Sequence, residues 1–269
     1  MNIRRWSVGV LAASLLVPGL AACKSDTAES AAPGGSASAA APADPKEALL
    51  ASTREIGKGN FTFTVVGHQS TGKGLVHKPS NSAQFTMTFD DGTGDVSMDV
   101  DFIYIEKESW VKLDLGGKMF EALGADKNKG KYQHLDQSKI EGAKGLQLNA
   151  ETLDPSDSAA LIKGVTEVRR TGEGSFAGTI DITGATESAA LDEEVVEALA
   201  AQAKALPFTA KVDAQGRLTE IAIAVPAAGE AEAHEVKITY ADYGSATAAQ
   251  KPPASKVVEA SEQTYEMFK

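Results

Sequence analysis

From Asn60 onward the chain alternates between apolar and polar positions. Phe61, Phe63 and Val65 are interleaved with Thr62 and Thr64; Phe85, Met87 and Phe89 with Gln84, Thr86 and Thr88; and Val96, Met98, Val100, Phe102 and Tyr104 with Ser97, Asp99, Asp101 and Ile103. A period of two sends successive side chains to opposite faces, so these runs predict half-buried strands with one apolar and one wet face. Residues 110–115 (WVKLDL) extend the meander, with Val111, Leu113 and Leu115 on one side. Turn chemistry at Thr71-Gly72-Lys73-Gly74, at Asp91-Gly92-Thr93-Gly94 and at Glu106-Lys107-Glu108-Ser109 predicts the hairpins between them. Alternation recurs over residues 165–170, 175–182, 208–212, 218–225 and 235–240, the last being read as the final pairing strand.

The period changes to helical in fewer places. Asp44-Pro45-x-Glu47 combines an N-cap, proline at the first helical position and a capping-box glutamate, and Leu49, Thr53 and Ile56 follow before Gly57 and Gly59 end the helix. Asp154-Pro155 repeats that start ahead of Leu161 and Ile162. Residues 118–123 predict a helical turn, residues 131–135 a short strand, and Gly142 and Gly145 a loop. A longer helix is expected over about residues 189–206, with Leu191, Val195 and Leu199 as its stripe and Pro207 as its stop. Two runs of strands, each beside a helix, make α+β the economical class: a single large curved antiparallel sheet, a half-barrel, with a few helices on its concave face.

The start of the chain decides where this domain works. Arg4 and Arg5 precede an apolar run over residues 8–20 that is of export-signal length and too short to span a bilayer. The run closes on Leu20-Ala21-Ala22-Cys23, which contains the only cysteine and reads as a lipoprotein processing site. A thiol is the nucleophile that acylation requires there. Residues 1–22 are therefore expected to be a signal peptide, and Cys23 the lipidation site. Residues 23–43, rich in Ala, Ser, Gly and Pro, form a tether with an r.m.s. span of roughly 25 Å, and residues 44–269 a single domain. Two or three acyl chains, at about 0.8 kcal/mol per methylene, would hold it on the outer face of the plasma membrane. With Cys23 consumed, no disulfide remains to staple the fold, which must rest on its own core.

Charge narrows the partners. The chain carries 26 Lys and Arg against 37 Asp and Glu, a net −11, and loss of Arg4 and Arg5 with the signal takes it to −13. Such an acidic domain is not built for nucleic acid or for a polybasic grip on anionic lipid heads. The acylated Cys23 is thus its expected link to the membrane.

Catalytic and metal signatures are weak. His68, His77, His134 and His234 are scattered, and surface or strand positions suit them better than a metal site. Asp90-Asp91-Gly92-Thr93-Gly94-Asp95 has the acids of a calcium loop in the wrong order and suits a hairpin. Asp99 and Asp101 share the wet face of a strand and read as solvated, Gly172-x-Gly174 lacks the rest of a nucleotide loop, and no GxSxG elbow occurs. No enzyme, cofactor or metal is expected.

The lipobox and tether, the early helix, the WVKLDL strand, the helix before Phe208-Thr-Ala-Lys-Val-Asp-x-x-Gly, and Val236-Lys-Ile-Thr-Tyr-Ala-Asp-Tyr-Gly before a Pro-Pro segment resemble actinobacterial lipoproteins related to the mycobacterial lipid carriers of the LppX and LprG type. The likeness covers about residues 44–253. It implies a half-barrel around an apolar cavity that takes the acyl chains of a lipid or lipoglycan during envelope traffic. Three helices look too few to cover so many strands, which leaves part of the apolar face open. The residues expected to line it are Phe61, Phe63, Phe85, Met87, Phe89, Met98, Val100, Phe102, Tyr104, Val195 and Leu199. The competing expectation is a non-enzymatic scaffold lipoprotein with a filled core that recruits envelope proteins through its acidic faces.

Overall fold

The computed structural model describes residues 44–123, 128–140, 154, 157–184, 191 and 193–266. Cys23, the signal and tether, the Gly142 and Gly145 loop and the start of the helix expected from residue 189 lie outside the described residues.

Among the described residues, twelve strands form one open mixed sheet: β1 Asn60–Val66, β2 Ser70–His77, β3 Ser82–Asp90, β4 Ser97–Ile105, β5 Glu108–Gly116, β6 Tyr132–Leu135, β7 Val165–Gly172, β8 Ser175–Ile180, β9 Leu206–Val212, β10 Leu218–Val225, β11 His234–Ala241 and β12 Val257–Glu259. Their order is β12-β6-β5-β4-β3-β2-β1-β11-β10-β9-β8-β7, and all pairs are antiparallel except β12 with β6. The helices are α1 Pro45–Ser52, α2 Lys118–Leu123, α3 Gln137–Ile140, α4 Ser158–Lys163, α5 Glu193–Leu199 and α6 Glu262–Glu266. This is the curved-sheet α+β class that the alternation predicts.

The start of α1 follows its sequence signal. Asp44 Oδ1 accepts the Glu47 amide at 2.9 Å, Pro45 occupies the first turn, and a 3-10 extension over Thr53–Lys58 ends at Gly59, whose φ of 68° requires a residue without a Cβ. One face of the sheet carries the main core. Leu49 and Ile56 from the first helical segment, Leu161 and Ile162 from α4, and Val195 and Leu199 from α5 pack there on Phe61, Phe63, Ile221, Val236 and Ile238.

Several elements differ from the sequence reading. Thr71-Gly72-Lys73-Gly74 is not a hairpin turn but the middle of β2, and the turn lies at Gly67–Gln69, closed by the Gly67 amide on the Ser70 carbonyl at 2.8 Å. Gly72 and Gly74 serve side-chain space rather than a reversal. The helix at Asp154 begins only at Ser158; Asp154 instead reaches forward to accept the Ala159 amide and the Tyr240 hydroxyl. The α5 helix ends as an α-helix at Leu199, because Ala200 takes a φ of 48°, and Pro207 sits inside β9 rather than stopping a helix.

Strand β11 is not the last. After it the chain crosses the outer face, where Ala249 packs with Ile103 and Trp110, and the Ala249 amide meets Ser82 Oγ at 3.1 Å. It then adds β12 beside β6 and turns round the edge, so that Tyr265 packs on Phe102, Tyr104, Val111, Leu113 and Leu135 of the opposite face. Asp101 is likewise not solvated. It is 8% exposed, held by the Tyr132 hydroxyl at 2.5 Å and Gln84 Nε2 at 3.2 Å. Burial first, and then the bond to Asp101, pushes the Tyr132 hydroxyl well above the usual phenol range.

Candidate functional site

Strand register sets the inner face out in rows. Val76, Ala83, Tyr104, Ser109 and Leu135 make one row; Gly74, Phe85, Phe102 and Val111 the next; Gly72, Met87, Val100 and Leu113 a third; and Ser70, Phe89, Met98 and Leu115 a fourth. Burial falls along this series. All five residues of the first row are buried, whereas in the fourth Phe89, Met98 and Leu115 are all half-exposed. The inner face of β2–β5 is therefore covered at one end and open at the other, while Val65, Val225 and Val236 of the neighbouring strands stay buried at that open end.

The floor of the open end is made by glycine. A Cβ on Gly74 would meet the Gln84 carbonyl and the Phe63 ring, 2.7 Å from Cζ, so that space is already filled. A Cβ on Gly72 would find only the Thr86 carbonyl at 3.6 Å and Val65 Cβ at 3.8 Å. Gly72 thus leaves a shallow apolar trough between Val65 on one side and Met87, Phe89, Met98 and Val100 on the other.

At the rim, α2 is tied to the β3–β4 turn by the Met119 amide on the Asp95 carbonyl at 3.1 Å and by Lys118 Nζ on Asp95 at 2.9 Å. Met119 is 49% exposed, an apolar side chain left at the surface on the helix that follows β5. The turn itself is densely hydrogen-bonded. Asp91 accepts amides from Thr93, Gly94 and Val96 and the Thr93 hydroxyl, and the Thr93 hydroxyl bond above all lowers its carboxyl pKa. Its oxygens are spent on the hairpin, and among the described residues no three His, Cys, Asp or Glu side chains gather as a metal site.

The eleven expected lining residues divide in two. Phe61, Phe63, Val195 and Leu199 are buried in the main core, and Phe102 and Tyr104 under Tyr265 in a second cluster. Phe85, Met87, Phe89, Met98 and Val100 are half-buried at the open end, where Phe85 stacks on Phe102 at 5.7 Å between centroids. Two further residues belong to this end: Gly72, whose sequence context reads as a turn, and Leu115, which alternation alone places on this face.

A cavity of about 700 Å³, wide open to solvent, lies at the same end of the sheet, where β9 and β11 begin and β10 ends. Its lining is Gln202, Ala205, Leu206, Pro207, Ala224, Val225, Pro226, Ala233 and His234. The volume falls within the range of about 300–1,000 Å³ usual for small-molecule sites. The trough lies on β1–β4 and the cavity around β9–β11.

No protein-family model matches the sequence, and no curated protein matches it. Among solved structures the fold is similar to the crystal structure of LprF from Mycobacterium bovis. The two are 14% identical, the match covers 79% of this chain and 99% of that one, and the TM-score is 0.38. The likeness is distant and concerns the path of the chain alone.

Proposed function

We propose that the protein is a non-enzymatic lipoprotein, tethered through acylated Cys23 to the outer face of the plasma membrane, that holds an apolar ligand such as a lipid or lipoglycan on the open end of its sheet. One observation carries this reading: Met87, Phe89, Met98, Val100 and Leu115 form contiguous half-buried apolar rows over a glycine floor. A soluble domain exposes such a surface at a cost of about 25 cal/mol per Å², and an alkyl chain laid on it recovers that term. The gain per methylene is similar in a bilayer and in the trough, so loading from a membrane is reversible. Met and Phe side chains adapt to a mobile chain. The signal sequence, lipobox and tether support placement in the cell envelope.

A second reading, an envelope scaffold with a filled core, is favoured by the tight burial of Phe61, Phe63, Phe102, Tyr104, Val195 and Leu199. Uptake of N-phenyl-1-naphthylamine by the Cys23→Ser chain and by its Val100→Trp variant separates the two. The carrier reading expects saturable uptake that Val100→Trp abolishes with little change in stability. The scaffold reading expects no uptake and a loss of about 1–3 kcal/mol on forcing Trp into a packed site.

A further inference from the structure

His68 and His234 lie far apart in the sequence, and the sheet brings them together. His68 sits in the turn between β1 and β2, His234 begins β11, and their rings face each other at 4.7 Å between centroids and 40° between planes. Both are half-buried at the open end of the sheet. His234 also lines the cavity, where it and Gln202 are the two polar side chains in an otherwise aliphatic and proline wall.

The hydrogen bonding fixes what this pair offers. His234 Nδ1 lies 2.8 Å from the Glu232 carbonyl, which can only accept, so Nδ1 carries the proton and the neutral ring presents Nε2 as an acceptor. Neither imidazole is ion-paired among the described residues, and no protein partner of the His68 ring nitrogens occurs among them. The adjoining segment carries exposed Glu230 and Glu232, and Glu235, which pairs with Lys237 at 3.3 Å, on a chain of net charge −11. An anionic headgroup would meet that field; a hydroxyl would not.

We infer, on the basis of the apolar-ligand reading above, that His68, His234 and Gln202 form a polar anchor for an uncharged, hydroxyl-bearing headgroup, of the kind carried by a monoacylglycerol, at the apolar end of the sheet. The headgroup donates an O–H to His234 Nε2, while the Gln202 amide and the His68 ring supply the complementary partners. The acyl chain lies on the cavity wall beside them, along Leu206, Pro207, Val225 and Pro226. The pair therefore selects among amphiphiles of equal chain length by their headgroup.

Displacement of N-phenyl-1-naphthylamine from the Cys23→Ser chain by 1-monomyristoylglycerol and by myristic acid tests this. The expected result is a monoacylglycerol affinity about tenfold above that of the acid, the value of roughly one net hydrogen bond. In the His68→Ala, His234→Ala double variant the affinity for the monoacylglycerol should fall about tenfold while that for the acid stays unchanged. Equal or stronger displacement by the acid from the wild-type chain would overturn the anchor, as would an undiminished monoacylglycerol affinity in the double variant. Failure of the wild-type chain to bind the dye at all would instead remove the apolar-ligand reading on which the anchor rests.

Discussion

The ring of Phe63 lies over Gly74, so close that a Cβ there would come within 2.7 Å of Cζ and 2.8 Å of Cε1. One step along the same strand, Gly72 has no such cover. Two glycines on one face of β2 thus differ: a Cβ at Gly74 would collide, whereas one at Gly72 would make only ordinary contacts.

This contrast predicts opposite outcomes for the same substitution. Gly74→Val should destabilise the domain by about 1–3 kcal/mol, because Phe63 and the Gln84 carbonyl must give way. Gly72→Val should be neutral or stabilising by up to about 1 kcal/mol, since a β-branched residue suits a strand and its Cβ would meet nothing closer than 3.6 Å. Yet Gly72→Val fills the trough floor, so dye uptake should fall while the melting temperature holds. Thermal melts and dye titrations on the two variants read both effects.

The C-terminal clasp gives a second expectation. Tyr265 is buried against Leu135 and Phe102, its hydroxyl accepts the Asp136 amide at 2.8 Å, Thr264 Oγ1 bonds Gln133 Oε1 at 2.6 Å, and Lys139 pairs with Glu262 at 2.7 Å. Tyr265→Ala should cost about 3–5 kcal/mol by analogy with other buried aromatics. Urea denaturation with unchanged stability would show that the clasp does not hold the β4–β6 side closed.

Much of this fold is legible in the alternation of its strands, because period-two runs such as Phe85-Thr-Met-Thr-Phe admit one buried face only. What escaped was set by distant partners. Gly72 and Gly74 look like turn residues until Phe63 and Met87 are placed beside them. Asp101 looks solvated until Tyr132 covers it, and the short β12 finds its place only when β6 is there to pair. The His68–His234 contact was illegible for the same reason, since nothing local links a hairpin turn to the start of a strand so far downstream.

Acid should unfold the protein through identifiable carboxylates. Burial tends to raise the Asp213 carboxyl, but the Arg217 amide and guanidinium, the latter at 2.7 Å, outweigh it and hold its pKa down; Asp181 is lowered by the Thr183 hydroxyl. A depressed folded-state pKa contributes stability above the unfolded value, about 3.9 for aspartate, and that contribution is lost as pH falls through the folded value. The melting temperature should therefore decline below about pH 4. Asp213→Asn should lower it at pH 7 and flatten the acid decline; an unaltered acid slope would count against this assignment.

Alkali should act at Tyr132, whose raised pKa favours the folded state below the unfolded phenol value of about 10 and loses that effect as pH climbs toward the folded one. Tyr132→Phe should remove this alkaline loss. It should also cost about 1–3 kcal/mol at neutral pH, because Asp101 is left buried with one partner fewer. Equilibrium unfolding at pH 7 and pH 11 separates the two effects.

The central claim is that the open end of the sheet carries an apolar ligand. Native mass spectrometry of the Cys23→Ser chain recovered from its own cell envelope measures this directly. The account predicts discrete lipid adducts that disappear in the Gly72→Val variant. Bare protein in both, at full folding, would contradict it.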